Sequence, residues 1–182
     1  MESKLDKVLE LFFNTPKHWH FEELRRKASI SKPQLAQWLK ILEKQKYLEK
    51  IKRKGKMPYY VGNIESSAFR NRKKLFAKQR LQQSGLLDHL ASLEQATVII
   101  IFGSFSRWDW YDDSDIDIFI YGNDDNFQRG KYESIIKREI QVHNAQSSQD
   151  LQKIDKLLPY IISGDFIKGS IQDLGVEVHA KV

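Results

Sequence analysis

The 182-residue sequence contains no cysteine. That excludes a disulfide framework, cysteine-ligated zinc and a thiol nucleophile, and it suits a reducing compartment. Proline and glycine are sparse, at 4 and 9 residues, and no internal repeat or low-complexity segment is present. The longest apolar run, around Val98–Phe102, is far too short to span a bilayer, so no membrane partner is expected. The first residues are of mixed charge and lack the apolar core of a signal peptide, so a cytoplasmic protein is expected. What is present is ordinary for a soluble globular chain: 41% hydrophobic and 30% charged residues. The length fits one medium domain or two small ones.

Charge is divided along the chain. Residues 1–84 hold 21 lysines and arginines against 8 acids, whereas residues 85–182 hold 9 against 16. The net charges are thus +13 and −7, which sum to the overall +6. The division predicts two functional halves. A basic half suits a phosphate backbone through counterion release, or forms a solvated helical surface. An acidic half suits a divalent cation.

Leu5, Val8, Leu9, Phe12 and Phe13 recur at helical spacing, and Asn14-Thr15-Pro16 ends that helix. A second, short helix is predicted from His20, with Glu22 and Glu23 in its first turn. Ser31 is the expected N-cap of a third, opened by Lys32 and Pro33. Leu35, Leu39, Ile41 and Leu42 are assigned inward there, with Gln34, Gln37, Trp38 and Lys40 outside. Two strands joined by a basic turn at Gly55 are predicted over Tyr47–Val61. This order resembles a winged helix-turn-helix over residues 1–64. The third helix would carry Lys32, Gln34 and Gln37 to duplex DNA, and Arg53, Lys54 and Lys56 would form the wing tip. Such modules also serve in protein docking and as homodimers. Residues 65–96 are expected to form a connecting helical stretch, basic through Arg70, Arg72, Lys73, Lys74, Lys78 and Arg80. Its second half would pack on the next domain, with a break at Gly85.

The second domain, residues 97–182, opens with Thr97–Phe102, a β-branched run that predicts a buried central strand. It runs into Gly103-Ser104-Phe105-Ser106-Arg107. A glycine turn at a strand end lets the backbone approach a phosphate. Asp112-Asp113-Ser114-Asp115-Ile116-Asp117 then enters a second strand. Asp115, Asp117 and Phe119 fall on one face, the two carboxylates about 7 Å apart at their Cα atoms. Side chains so placed can converge on hard cations held by oxygen.

The string from Gly103 to Ile120 resembles the signature of the nucleotidyltransferase superfamily, and most closely its small, "minimal" members. The resemblance covers residues 97–145 well and the rest of the domain loosely. It implies a small α/β domain with a mixed sheet, so that the whole chain is α+β. It implies that Gly103 and Ser104 hold nucleotide phosphates, with Arg107 beside them or in an ion pair with Asp112 or Asp113. It implies that Asp115 and Asp117 bind magnesium, with two ions expected, and that an NTP, ATP foremost, is the substrate. The reaction implied is attack on the α-phosphate with loss of pyrophosphate. A third carboxylate on a later strand is part of the family pattern. Glu139 is the only acid on the candidate strand Arg138–Asn144, but it shares a face with Gln141, and if Gln141 lies at the metal the site loses a charge. Trp108 stands where glycine is frequent in the family; with Trp110 and Tyr111 it would stack on a base or pack against the domain. The acceptors it allows are a protein hydroxyl, such as one on a HEPN-type toxin and favoured for so small a domain, an antibiotic or a nucleic-acid end. The other function compatible with these residues is a DNA-binding regulator whose second domain senses nucleotide. Farther on, Ser147–Asp150 starts a helix that Leu151, Ile154, Leu157, Leu158 and Ile161 continue, and residues 176–182 alternate as a strand.

Overall fold

The computed structural model describes residues 4–175, so the strand expected over 176–182 lies outside the described residues. The chain divides into two compact units. One takes in the chain up to Leu75 together with Trp110–Asp112; the other takes in Phe76–Asp109 and the chain from Asp113 onward. The basic connecting stretch is thus shared between the units, with the division falling inside one helix.

In the first unit the order is α1 (Lys4–Asn14), β1 (Trp19–His20), α2 (Phe21–Ala28), α3 (Lys32–Lys44), β2 (Leu48–Ile51) and β3 (Tyr59–Gly62). The strands form an antiparallel sheet in the order β1-β3-β2. Val8, Leu9, Phe12 and Phe13 of α1, Leu24 of α2, and Leu35, Leu39 and Leu42 of α3 are all buried, as their spacing requires. Ile41 corrects the inward assignment: it is exposed. Six positions beyond Leu35, it lies about a third of a turn off the buried stripe. His20 is extended rather than helical and pairs with Tyr59, because a strand is needed to cover the edge of β3. Lys73, expected on a solvated basic face, is buried, its ammonium 4.0 Å from the centre of the Tyr111 ring. Trp110 packs edge-on against Phe13, with centroids 6.3 Å apart.

The helix α4 (Ser67–Gln83) is separated from α5 (Leu86–Ala91) by Gly85, whose φ of +78° no helix accepts. The second unit then builds β4 (Ala96–Phe102), β5 (Ile116–Gly122), α6 (Arg129–Ile136), β6 (Ile140–Ala145), α7 (Ser148–Lys153), α8 (Leu158–Ile162) and β7 (Asp165–Lys168), followed by a 3₁₀ turn at Ile171–Leu174. The mixed sheet runs β6-β5-β4-β7; β4 is antiparallel to β5 and β7, and β5 is parallel to β6. Both interior strands are buried on both faces, which explains their unbroken apolar runs. Val98, Ile100, Phe102 and Phe119 meet Leu151, Ile161 and Leu174 in one core layer. The single helix expected from Ser147 to Ile161 is two. Pro159 lacks a donor and clashes with the preceding turn, so it sits in the first turn of α8 instead.

Candidate functional site

Strand β4 delivers Gly103 at its end, and β5 delivers Asp117 beside it. Phe102 is the register partner of Asp117 across the antiparallel pair. Gly103 has φ +72°, and a Cβ there would lie 2.2 Å from Asp117 Oδ2. The backbone of the turn therefore rests directly on the carboxylate, in a space only glycine leaves open. Ser106, buried one turn on, donates from Oγ to the Gly103 carbonyl at 3.0 Å and braces the bend. Its role was readable in the sequence only as a serine three residues after the glycine.

Asp115 lies just ahead of β5. Across the parallel pair, Asp117 is in register with Gln141. The Gln141 Nε2 donates to Asp115 Oδ2 at 2.7 Å. His143, two residues along the same face of β6, has Nε2 3.9 Å from Asp117 Oδ1 and its ring edge-on to Phe102. The Asp117 carboxyl is pushed above its ordinary range, chiefly by burial; Asp115 pushes in the same direction, while His143 and Arg107 oppose it.

Of the residues expected here, Gly103, Asp115 and Asp117 come together, with Ser104 half-buried in the same turn. The Glu139 side chain is 62% exposed and 3.8 Å from Arg129. Its backbone carbonyl accepts from Ile116 N–H at 2.9 Å. Arg107 makes a two-point pair with Asp109, at 3.1 and 3.0 Å, rather than with Asp112 or Asp113. That pair raises the guanidinium's already high pKa, with a smaller contribution from Asp117. Among the described residues no three His, Cys, Asp or Glu side chains gather as a ready-made metal centre. Gln141 and His143 are the site neighbours whose roles only register could reveal.

In the first unit, Gln34 and Gln37 are exposed on α3, and Arg53, Lys54 and Lys56 are exposed in the turn between β2 and β3. Lys32 is exposed but pairs with Glu22 at 3.1 Å. Hydrogen bonds from Arg25 and Lys32 hold the Glu22 carboxyl below its usual range.

No curated protein matches this chain. Residues 85–170 match the family model described as polymerase beta, nucleotidyltransferase. The matched segment contains β4, the glycine turn, Asp115 and Asp117, and every strand of the mixed sheet up to β7. Residues 85–170, just under half of the chain, are thus similar to the nucleotidyltransferases that this model describes.

Proposed function

We propose that the second unit is a magnesium-dependent nucleotidyltransferase that moves a nucleoside monophosphate from an NTP, ATP foremost, to an acceptor hydroxyl. The observation that carries this is the contact of the Gly103 turn with Asp117, with Asp115 alongside. The donor set fits a hard cation. Asp115 and Asp117 offer carboxylate oxygens side by side, and Gln141 Nε2 donates to Asp115 Oδ2 and orients it. Magnesium held there would neutralise triphosphate oxygens. The turn at Gly103 and Ser104 presents backbone N–H groups to the phosphates. Arg107 adds positive charge close enough to influence Asp117. The acceptor oxygen bonds the α-phosphorus, the bond to the bridging oxygen breaks, pyrophosphate leaves and the hydroxyl proton passes to solvent. A protein hydroxyl, as on a HEPN-type toxin, is the acceptor we favour, since the described residues of the unit include no element beyond the mixed sheet and its helices to enclose a small substrate.

The first unit is proposed as a DNA-binding winged helix. Its order of α1, β1, α2, α3 and the β2–β3 hairpin, with a basic turn, supports this. A second function is favoured by one observation: Gln141, a neutral amide, lies in register with Asp117, while Glu139 pairs with Arg129. The second unit would then bind nucleotide and transfer slowly or not at all, as the sensor of a regulator. Incubation with each labelled NTP and magnesium, alone and with source-cell lysate, tests both. Labelled protein or nucleic acid supports transfer. Magnesium-dependent nucleotide binding without label supports the sensor. The double variant Asp115→Asn/Asp117→Asn should lose binding in either case, and unchanged binding by it would overturn the site.

A further inference from the structure

The cations of the first unit are not alike in their surroundings. Lys17 pairs with Glu23, Arg25 and Lys32 with Glu22, and Arg72 with Asp6. Lys52, Arg53, Lys54 and Lys56 make no ion pair with an acid among the described residues, and all four are exposed. They surround an open concavity of about 660 Å³ that contains no carboxylate.

A second concavity of about 500 Å³ shares Arg53, Lys56 and Met57 with the first and is lined further by His18, His20 and Tyr59. It too has no acid. Period-two alternation places His18 and His20 on one face, while Trp19 between them is buried. Pairing of His20 with Tyr59 across β1 and β3 adds a third ring. The His18 centroid is 5.0 Å from that of Tyr59 and 5.6 Å from that of His20. His20 Nδ1 lies 3.1 Å from the Pro58 carbonyl oxygen; since a carbonyl only accepts, Nδ1 carries the proton and holds the ring in place. Met57, 75% exposed, stands at the junction of the two concavities.

A lone phosphate needs one cluster of donors. Here cations line two adjoining concavities, with aromatic rings in the second. That combination matches an extended polyanion bearing π-faces: charge follows the backbone and rings receive bases. Bases within a duplex are stacked and do not offer their faces; unpaired ones do. We infer that the face formed by His18, His20 and Tyr59 with Arg53 and Lys56 binds single-stranded nucleic acid, by stacking unpaired bases beside a basic rim. This goes beyond the duplex contact proposed for α3 and the turn, since it uses β1 and a different form of the polymer.

The test is fluorescence anisotropy of the full chain with a labelled 12-nucleotide DNA or RNA strand and the matching duplex, at several salt concentrations. His18→Ala/His20→Ala should weaken single-strand binding about tenfold or more while changing duplex binding less than about twofold. His18→Phe/His20→Phe, which keeps the rings, should retain binding within about threefold. Arg53→Ala/Lys56→Ala should weaken both and flatten the salt dependence. Thermal melting checks that each variant folds. Three outcomes overturn the assignment: an alanine pair that binds single strands like the parent, an equal loss on duplex and single strand, or binding to phosphatidylserine vesicles with none to the strands. Unchanged duplex binding in variants of Gln34 and Gln37, with the single-strand results as expected, would instead count against the winged-helix function alone.

Discussion

At the residue scale, the site is a problem of close approach. Gly103 is compelled twice: its backbone is left-handed, and Asp117 occupies the place of a side chain. Gly103→Ala is therefore expected to cost about 1–3 kcal/mol and to displace Asp117. Thermal melting should show the loss, and titration with magnesium and nucleotide a parallel fall in affinity. Asp117 itself is held at a price in stability. Burial and Asp115 keep its carboxyl above the ordinary 3.8, so the folded chain retains that proton to higher pH than the unfolded chain. Stability must then fall as pH rises from 3.8 through the raised value, because the folded state binds more protons there. Asp117→Asn should melt above the parent at neutral pH, the difference vanishing below 3.8, and the variant should no longer respond to magnesium. A melting curve indifferent to the substitution at pH 7 would contradict this origin of the shift. Asp115 and Asp117 were legible as a pair from their spacing. Ser106 and His143 were not, since a serine in a turn and a histidine on a strand have many uses.

At the element scale, most segments follow from local rules. The β-branched run of β4 announces an interior strand, and Gly85 ends α4 where its φ requires. Where tertiary pairing decides, local rules fail: β1 and β7 are short strands formed because β3 and β4 offer them an edge. Helix α7 shows how much a cap contributes. Ser147 accepts from the Asp150 N–H, and Asp150 in turn accepts from Ser147 Oγ at 2.8 Å and from Gln146 N–H at 3.2 Å. With Lys153 the largest cause, these contacts lower the Asp150 carboxyl to about 2. Its stabilising contribution is present above 3.8 and is lost as pH falls toward 2. Asp150→Asn should lower the melting temperature at pH 7 and remove that part of the acid sensitivity; scans at pH 7 and below 3 compare the two.

At the scale of the whole chain, the basic charge of the first half is not all left for a partner. Several basic residues of the first half are consumed internally, Lys73 over aromatic rings and Arg72 by Asp6, whereas the turn from Lys52 to Lys56 keeps its charge for an external anion. Reversing Arg53, Lys54 and Lys56 to Glu should weaken duplex binding at low salt and reduce the slope of log affinity against log salt by about three. An unchanged slope would remove the turn from the phosphate contact. The sequence by itself determined the division of charge, the interior strand, the glycine bend and the pair of acids, because each rests on composition, period or local sterics. Only the tertiary structure placed Gln141 in register with Asp117. Glu139, just ahead of β6, and Gln141 fall on one face of the chain, so a period of two cannot separate them. Their positions along β5 are a matter of the register of a parallel pair, joined here by the crossover through α6.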